Sequence, residues 1–407
     1  MNAPQGARIA PAGSGSPVDR VDAVEPAERS GRVGPVGPVR DTAPGEAVSA
    51  GTDTAAASAA PAAPTHAKAE RGPVADSPVR RGLWLIVATA ALVLVILLSV
   101  AIGSKNIPLP TVWDALFHYD GSNDHVIVRD LRLPRTLLGV LVGTALGVAG
   151  AVIQAVGRNP LADPGILGVN AGAGFAAVLA IAVFDITDLR GYIWFAFLGA
   201  IVTTVAVYTI GSRGRGGATP VRLTLAGVAL GAVLGGISSG ITLLDPTTFD
   251  RMRFRSAGSI AGRQWDTIAQ VAPFLLIGLV VAASVARALN AVALGGDAAR
   301  ALGVNITRTR VSSVIAITLL CGGATAVAGP IGFVGLMVPH VARWITGPDQ
   351  RWILAYTLVL SPILLLVADV LGRLVVRPGE LQVGIVTAFV GVPVLIALVR
   401  RQKVSGL

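Results

Sequence analysis

Long apolar segments alternate with short polar segments from Leu83 to the end of the chain. The first of them, residues 83–102, is flanked by Arg80 and Arg81 on one side and by Lys105 on the other. About 20 consecutive apolar residues cross a ~30 Å hydrocarbon core as a helix. The pattern therefore predicts helices that span a membrane.

About ten segments meet this length criterion, of which the eighth and the tenth are short. Lipid offers no hydrogen bonds to the backbone, and the segments are too long for barrel strands, so each should be a helix. The predicted fold class is an all-α polytopic membrane protein with about ten transmembrane helices. The predicted spans are residues 83–102, 136–156, 165–184, 192–210, 223–244, 267–289, 311–328, 331–345, 353–370 and 384–399.

The N-terminal segment differs in composition from everything that follows. Residues 1–80 are rich in Ala, Pro, Gly and Ser and contain almost no large apolar side chains. Such a segment cannot bury enough surface to offset the entropy that is lost on ordering. It is also too long and too polar at its start to be a signal peptide. We therefore predict a disordered tail over residues 1–80 and a transmembrane domain over residues 81–403.

The overall composition agrees with a membrane location. Hydrophobic residues make up 53% of the chain and charged residues 14%, whereas a soluble domain has about 25% charged residues. The net charge is +10, but the basic residues lie mostly between apolar segments, which favours membrane-flanking and partner-docking roles over nucleic-acid binding. Cys321 is the single cysteine, so the chain cannot form an internal disulfide.

The distribution of basic residues leaves the orientation open. An even number of spans places both termini on the same side of the membrane. If that side is cytoplasmic, the two faces carry nearly equal numbers of arginine and lysine, so the positive-inside rule does not decide. An outer face this basic needs an explanation of its own.

Two predicted spans carry glycine at every fourth position. Small residues at this spacing give a helix a flat face that a second helix can approach closely. We therefore expect tight helix packing at both spans. The glycines are Gly139, Gly143 and Gly147 in the second span and Gly227, Gly231 and Gly235 in the fifth.

Several kinds of functional site are missing from the sequence. It contains no G-x-x-x-x-G-K-[ST] loop for nucleotide, and its histidines and cysteine are too few and too scattered for a metal cluster. Within the spans, Asp369 is the main ionisable residue, whereas a proton- or sodium-coupled carrier usually needs several. We therefore expect no catalytic residue, metal or cofactor in this chain, and an energy source that lies elsewhere.

Candidate functional residues are concentrated in the stretches between the spans. Residues 295–303 are one such stretch, in which Asp297 can cap a short helix over residues 298–302 and Gly303 can end it. A compact helix in a cytoplasmic loop suits docking to a soluble partner; the alternative is an ordinary capped connector. The other stretches are residues 132–135 with 158–164, 329–340, 368–373 with 378–384, and 258–262 with Trp265.

Taken together, these stretches resemble the FecCD-like permeases of type II ABC importers, which carry ferric siderophores, haem and cobalamin. The resemblance covers residues 83 to about 401 and leaves the N-terminal tail outside it. It implies a ten-helix bundle like that of the cobalamin-importer permeases and a second permease subunit, identical or different, around a central path. It also implies cytoplasmic ABC ATPase subunits and an extracytoplasmic substrate-binding lipoprotein or periplasmic protein; no nucleic acid is expected as a partner.

The resemblance also implies roles for individual residues. In the family, arginines on the outer face meet acidic residues of the binding protein, and their counterparts are Arg132, Arg135 and Arg373. The alternatives are that these arginines extend toward lipid headgroups or that Arg373 pairs with Asp369 one turn earlier. The loop that couples to the ATPase corresponds to Gly296, Asp297, Ala298, Arg300, Ala301, Leu302 and Gly303. The remaining motif positions, expected to be structural, are Arg158, Asn159, Pro160, Gly329, Pro330, Gly332, Pro339 and His340.

The chain departs from the family pattern at four positions. Ala298 stands where the family often has Glu, and Arg255 where many members have Trp. Gln350 replaces a frequent His, and Gln382 replaces a frequent Pro. The first change affects the expected ATPase contact, and Arg255 adds charge near the outer mouth, either for substrate or binding-protein contact or as a solvated loop charge.

The function that these observations predict is a non-enzymatic permease subunit of an ABC importer for a ferric siderophore. Its location would be a bacterial cytoplasmic membrane, with both termini in the cytoplasm. Haem and cobalamin are alternative cargoes within the same family. A secondary carrier or channel that acts alone is an alternative that the missing intramembrane charge weakens. A membrane scaffold without transport activity would leave residues 295–303 without a purpose.

Overall fold

The computed structural model describes residues 77–186, 188–213, 219–255, 257–376 and 379–402. Every regular element in these ranges is a helix. Residues 1–76, which make up most of the predicted tail, lie outside the described residues. The α-helices are α1 (Pro78–Ala101), α2 (Leu109–Phe117), α3 (Asn123–Val126), α4 (Leu133–Gly157), α5 (Val169–Ala182), α6 (Leu189–Ser212), α7 (Pro220–Leu244), α8 (Pro246–Arg255), α9 (Trp265–Ala293), α10 (Gly296–Ala301), α11 (Ile306–Ile317), α12 (Gly323–Ala328), α13 (Val334–Thr346), α14 (Gln350–Val375) and α15 (Val383–Gln402).

Three short helices of other types join this series. π-helical turns over Ile127–Arg132 and Thr318–Gly322 make α3 continuous with α4 and α11 continuous with α12. A 3₁₀ turn over Pro164–Leu167 precedes α5. Each π turn is therefore a local bulge within one long helix, and the two α-helical segments on either side of it form a single span.

Seven helices in the described part of the chain are long and apolar enough to cross a membrane. They correspond to the first, second, fourth, fifth, sixth, seventh and ninth predicted spans. The other three predicted spans are residues 165–184, 331–345 and 384–399. They correspond to α5 and α13, which have 14 and 13 residues, and to α15, whose apolar part is Val383–Ala397. The predicted all-α polytopic fold is confirmed, and the length criterion is met at seven of the ten predicted positions.

Helix starts follow local capping chemistry. The Ser77 side chain accepts a hydrogen bond from the backbone of Arg80, and a proline stands at the beginning of α1. Thr219 does the same for α7, which begins at Pro220. A hydroxyl that caps the first turn, followed by a proline whose missing N–H needs no partner, defines a helix start.

Helix α4 lies at the centre of the bundle, in contact with α14, α9, α13 and α11. Its apolar stretch is 83% buried, whereas that of α7 is 6% buried. The two helices therefore differ in their surroundings although both carry the repeated glycine pattern.

The glycines of α4 are packed as the sequence predicts. A Cβ on Gly143 would lie 2.7 Å from Cα of Pro362 in α14, and a Cβ on Gly150 would collide with the carbonyl of Gly335 in α13. In α7 the prediction holds only at Gly227, which faces the carbonyl of Ile166. Gly235 has nothing within 4 Å in the described structure, because no described helix covers that side of α7.

The spans alternate in direction, so that the bundle has two ends. One, called here the α10 end, contains α10, the ends of α4, α9 and α13 and the starts of α1 and α14. Two hydrogen bonds between side chains connect the segments at this end. Arg343 Nη2 donates to Gln154 Oε1 at 3.4 Å, and Asn290 Nδ2 donates to Asp349 Oδ1 at 2.8 Å. The opposite one, called the arginine end, contains the end of α1 and the start of α4.

Candidate functional site

Five charged side chains meet at the arginine end, and we call them the arginine cluster: Arg132, Arg135, Asp369, Arg373 and Glu380. Asp369 of α14 is 1% exposed and lies at the centre of the group. Arg135 of α4 donates to both of its carboxylate oxygens, with Nη2 to Oδ1 at 2.7 Å and Nε to Oδ2 at 3.0 Å. Arg373 Nη2 lies 2.9 Å from Asp369 Oδ2. One buried carboxylate therefore joins two guanidinium groups on different helices.

Arg373 also closes the end of α1. Its Nη1 donates to the carbonyl of Ser99 at 3.0 Å and to that of Ile102 at 2.7 Å, and its Nη2 donates to Ser99 Oγ at 2.9 Å. The last carbonyls of a helix have no partner within the helix and attract positive charge. Arg373 supplies both a hydrogen-bond donor and a charge, and it is 2% exposed.

Arg132 completes the same cap from the turn before α4. Its Nη1 donates to the carbonyls of Val100 at 3.0 Å and Ala101 at 2.6 Å, and its Nη2 donates to that of Lys105 at 2.6 Å. Arg132 is 5% exposed. A Cβ on Gly103 would lie 2.6 Å from Arg132 Nη2, so the loop needs a glycine where it passes the guanidinium group.

Of the three arginines in the cluster, Arg135 is the one that reaches the surface. Its side chain is 11% exposed, and Nη1 donates to Glu380 Oε2 at 2.7 Å. Glu380 is itself 30% exposed. The cluster therefore extends from the buried Asp369–Arg373 pair to an Arg135–Glu380 pair that reaches the surface.

The structure brings together all three arginines that were predicted to dock a binding protein. The alternative pairing of Arg373 with Asp369 is confirmed, and Arg132 and Arg373 use most of their donors on the end of α1. The docking role itself stays a prediction. Sequence reasoning did not single out Glu380, although its position in the stretch 378–384 was a signal that could have found it.

The glycine-rich stretches of the arginine end pack against one another. Ser259 N donates to the carbonyl of Ala328 at 2.7 Å, and Gly384 N donates to that of Gly258 at 3.1 Å. Gly258 has a φ of +70°, and a Cβ there would collide with the carbonyl of Pro330. Three loops therefore contact one another beside the arginine cluster. One of them contains the structural motif positions Gly329, Pro330 and Gly332, and Gly329 has a φ of +76°.

The stretch 158–164 lies at the α10 end. Arg158 ends α4 in the left-handed conformation, with a φ of 49°, and its side chain is exposed. Asn159 Oδ1 accepts from Leu161 N at 2.9 Å across Pro160. Asp163 Oδ1 accepts from Gly165 N at 2.7 Å and caps the 3₁₀ turn; burial raises the pKa of this carboxyl.

The second half of the stretch 329–340 forms the buried face of α13. Gln154 of α4 donates through Nε2 to the carbonyls of Gly335 at 3.2 Å and Leu336 at 3.1 Å. His340, which follows Pro339, is 4% exposed and packs edge-to-face on Trp344, with ring centroids 5.2 Å apart. Its Nε2 has no hydrogen-bond partner in the described structure, so packing holds it.

The predicted coupling stretch forms α10, but it is capped differently from the prediction. The N-cap is Gly295 with a φ of 116°, and Asp297 lies inside the first turn. Asp297 does not cap the helix because its carboxylate accepts from Arg300 Nη1 at 2.7 Å instead. Gly303 ends the helix as predicted, with a φ of +75° and a hydrogen bond from its N–H to the carbonyl of Arg300 at 2.9 Å.

Helix α10 lies on the surface and is anchored by one residue. Ala299 is fully buried, and Val304 N donates to its carbonyl at 2.9 Å. Leu302 is 63% exposed, and Leu294, just before α10, is 69% exposed. The other coupling positions, Gly296, Asp297, Ala298, Arg300, Ala301 and Gly303, are exposed as well. A short rigid helix flanked by exposed leucines can insert into an apolar groove of another protein.

The four departures fall in different surroundings. Ala298 is exposed on α10, and Gln382 is half-buried before α15. Gln350 is buried, and its backbone N–H donates to Asn290 Oδ1 at 2.7 Å. The side chain of Arg255 lies outside the described residues. Within the described ranges, no group of three or more His, Cys, Asp or Glu residues could hold a metal ion.

Comparisons with known proteins agree with one another. The model of the FecCD transport family matches residues 91–401. The ferric enterobactin transport system permease protein FepD of Escherichia coli (strain K12) is 52% identical over 324 residues, which cover 80% of this chain and 95% of FepD. The iron(3+)-hydroxamate import system permease protein FhuB of Bacillus subtilis (strain 168) is 39% identical over 320 residues, covering 78% and 83%.

Two further matches come from a haem system and from a solved structure. The hemin transport system permease protein HmuU of Yersinia pestis is 35% identical over 325 residues, which cover 76% of this chain and 94% of HmuU. The solved structure is an inward-facing conformation of a metal-chelate type ABC transporter. It is 26% identical with a TM-score of 0.70 and covers 79% of this chain and 99% of its own.

Proposed function

Since the chain belongs to the FecCD transport family, we propose that it is the permease subunit of an ATP-binding-cassette importer that carries a ferric siderophore across the bacterial cytoplasmic membrane. The observation that supports this choice of cargo is the 52% identity to a ferric enterobactin permease over 95% of that protein's length. The hemin permease is more distant at 35%, so haem is the second candidate cargo, followed by cobalamin.

The α10 end faces the cytoplasm. Arg222 at the start of α7 and Arg343 near the end of α13 add to the basic residues of this end. The carboxylates there, among the described residues, are Asp163, Asp297 and Asp349. A cytoplasmic face rich in arginine follows the positive-inside rule, which supports the proposal that both termini lie in the cytoplasm.

The basic residues of the opposite end have another explanation. Arg132 and Arg373 are buried against the end of α1, and Arg263 donates through Nε to the carbonyl of Val327 at 2.8 Å. These arginines are structural donors, so they do not count against the orientation. Their burial supports the proposed orientation despite the near-equal count of basic residues on the two faces.

Partners of this chain act at both ends. Helix α10 docks into cytoplasmic ABC ATPase subunits, which bind and hydrolyse ATP because this chain has no P-loop of its own. A second permease subunit, a copy of this chain or a related one, covers α7, whose apolar stretch is 6% buried. The chain itself is not an enzyme.

An extracytoplasmic binding protein delivers the cargo at the arginine end. Arg135 is the arginine that can receive one of the carboxylates of the binding protein, because its partner Glu380 is 30% exposed and lies at the surface. Arginine binds carboxylate in a directional, forked geometry, which fixes the orientation of the docked protein. Arg132 and Arg373 hold the surface in place beneath this contact.

Transport follows from alternation between two states of the bundle. ATP binding moves the ATPase subunits, and the rigid α10 transmits that motion to α9 and α11, between which it lies. Docking of the loaded binding protein and binding of ATP shift the populations of the outward-facing and inward-facing states of the bundle. The passage needs few charged groups, because the binding protein supplies recognition of the cargo.

Uptake in cells tests this proposal. A strain lacking the chain should lose uptake of ⁵⁵Fe-labelled ferric enterobactin and regain it when the chain is supplied, while haemin and cobalamin uptake stay unchanged. The chain should also co-purify with a P-loop ATPase. Loss of haemin uptake alone would reassign the cargo, and ATP-free liposomes that accumulate the siderophore with this chain alone would support a secondary carrier.

A further inference from the structure

Two neighbouring clefts open at the α10 end and share the residues Val156, Gly157 and Arg310. The first is a small cleft of about 50 Å³ and the second a larger one of about 350 Å³. The second is within the size range of sites that hold small organic molecules. Neither cleft touches the arginine cluster, and only Gly296, at the start of α10, belongs both to a cleft and to the coupling stretch.

The first cleft is apolar and lies at the depth of lipid chains. Its walls come from the end of α4, the 3₁₀ turn, α6, the start of α7 and the start of α11. Ile153 lies four residues before the end of α4 and Val314 eight residues after the start of α11, so the cleft reaches about 6 to 12 Å below the helix ends. The main apolar residues of the walls are Ile153, Val156, Ile166, Leu167, Leu223 and Val314.

The second cleft is basic and lies at the surface. Its walls include Arg158 and Arg310, together with Gly296 at the start of α10. Among the residues that the structure describes, no aspartate or glutamate lines either cleft. Arg158 is exposed and forms no ion pair with a carboxylate of the described residues. Arg310 is half-buried where the two clefts join, so an apolar trough ends between two guanidinium groups.

We propose that the two clefts together bind one anionic phospholipid, with part of an acyl chain in the first cleft and the phosphate between Arg158 and Arg310. The geometry fits an amphiphile whose polar group lies at the membrane surface and whose chain lies within it. Guanidinium groups recognise phosphate through paired, charge-assisted hydrogen bonds. Free phosphate would leave the apolar cleft without an occupant, and a zwitterionic lipid carries a cation that two arginines would repel.

The bound lipid touches the segment that we expect to move with the ATPase. Gly296 lines the second cleft, so a headgroup there contacts the start of α10. An anionic lipid would therefore support coupling between ATP hydrolysis and transport. This consequence rests on the proposed function, whereas the binding of the lipid does not.

Native mass spectrometry of the purified chain tests the site directly. The protein in detergent is titrated with phosphatidylglycerol or with phosphatidylcholine that carries the same acyl chains. The wild type should retain phosphatidylglycerol in preference to phosphatidylcholine. In the double variant Arg158→Gln/Arg310→Gln this preference should fall about tenfold or more, since two charge-assisted hydrogen-bonding groups are lost.

A matched variant controls for net charge. Arg308→Gln/Arg351→Gln removes two exposed arginines from the same end of the bundle and should keep the preference of the wild type. The melting temperature of each variant reports whether it folds. Equal retention of the two lipids by the wild type, or an unchanged preference in the double variant, would overturn the proposal, as would displacement of phosphatidylglycerol by inorganic phosphate at equal concentration.

Photo-crosslinking locates the acyl chain. Phosphatidylglycerol with a diazirine in one chain should label peptides that contain residues 153–167, Tyr208 or Val314, and the label should decrease in the double variant. Labelling confined to the exposed surface of α1 would contradict the assignment. Both readouts are independent of siderophore uptake, so a wrong cargo would leave them unchanged.

Discussion

The two ends of the bundle use arginine in opposite ways. At the arginine end, Arg132 and Arg373 are 5% and 2% exposed and donate to carbonyls at the end of α1. At the α10 end, Arg158, Arg300 and Arg308 are exposed. A buried arginine completes the hydrogen bonding of its own chain, and an exposed one remains available to lipid or protein. A count of charges along the sequence cannot separate these two uses.

The largest effect on stability should follow the loss of Arg373. Arg373→Ala removes a partner of Asp369 and leaves the carbonyls of Ser99 and Ile102 without their donor. Breaking a buried ion pair costs about 3–5 kcal/mol. Chemical unfolding of the purified protein in detergent measures this loss.

An exposed pair at the same end provides the control for Arg373. Arg190 and Asp266 are 47% and 63% exposed, and Arg190→Ala should cost at most about 1 kcal/mol. If Arg373→Ala and Arg190→Ala were equally stable, the buried arginine cluster would stabilise the fold no more than an exposed ion pair does. The contrast drawn between buried and exposed arginines would then be wrong.

A smaller loss should follow an added methyl group beside Arg132. Gly103→Ala places a Cβ 2.6 Å from Arg132 Nη2, so the guanidinium group must leave the carbonyls of α1. Overpacking of this kind costs about 1–3 kcal/mol. Thermal unfolding checks the value, and Gly82→Ala at the other end of α1, where nothing lies within 4 Å, should be neutral or slightly stabilising. A neutral Gly103→Ala would show that the cap tolerates displacement.

Glu380→Gln should have a modest effect on stability, at most about 1 kcal/mol, because Glu380 is 30% exposed and Arg135 keeps its bond to Asp369. If the binding protein competes for Arg135, the same change should tighten its binding to proteoliposomes that contain the permease. Arg135→Gln should weaken that binding. Biolayer interferometry measures both, and equal affinities for the two variants would exclude Arg135 from the docking surface.

The smallest effect on stability is expected at α10. Arg300→Glu breaks a fully exposed contact with Asp297, so the melting temperature should not change measurably. Stimulation of the ATPase by the loaded binding protein should nevertheless be lost, because the reversed charge lies on the docking helix. Normal stimulation would leave α10 as an ordinary connector.

Much of the fold could be predicted from local sequence. Apolar length alone located the spans, although α5 and α13 have only 14 and 13 residues. The glycine pattern of α4 and α7 looks the same in sequence, yet only α4 is surrounded by helices of this chain. Which neighbour covers a flat face is set by the tertiary fold, and the sequence does not contain that information locally.

The contacts of the candidate site also divide into those that the local sequence predicts and those that depend on the tertiary fold. The pairing of Arg373 with Asp369 is predictable because the two residues lie one helical turn apart. The burial of Arg132 depends on carbonyls about thirty residues earlier in the chain, so no local pattern could indicate it. At α10 the prediction identified the right segment but the wrong cap, because the helix begins at Gly296 and Asp297 lies inside its first turn, where it pairs with Arg300.

Reconstitution tests the central claim most directly. Proteoliposomes that contain this permease and its ATPase, with the binding protein outside and ATP inside, should accumulate ⁵⁵Fe-labelled ferric enterobactin. Omission of ATP, of the ATPase or of the binding protein should each abolish accumulation. Uptake that persists at the same rate without ATP and without the ATPase would contradict the account.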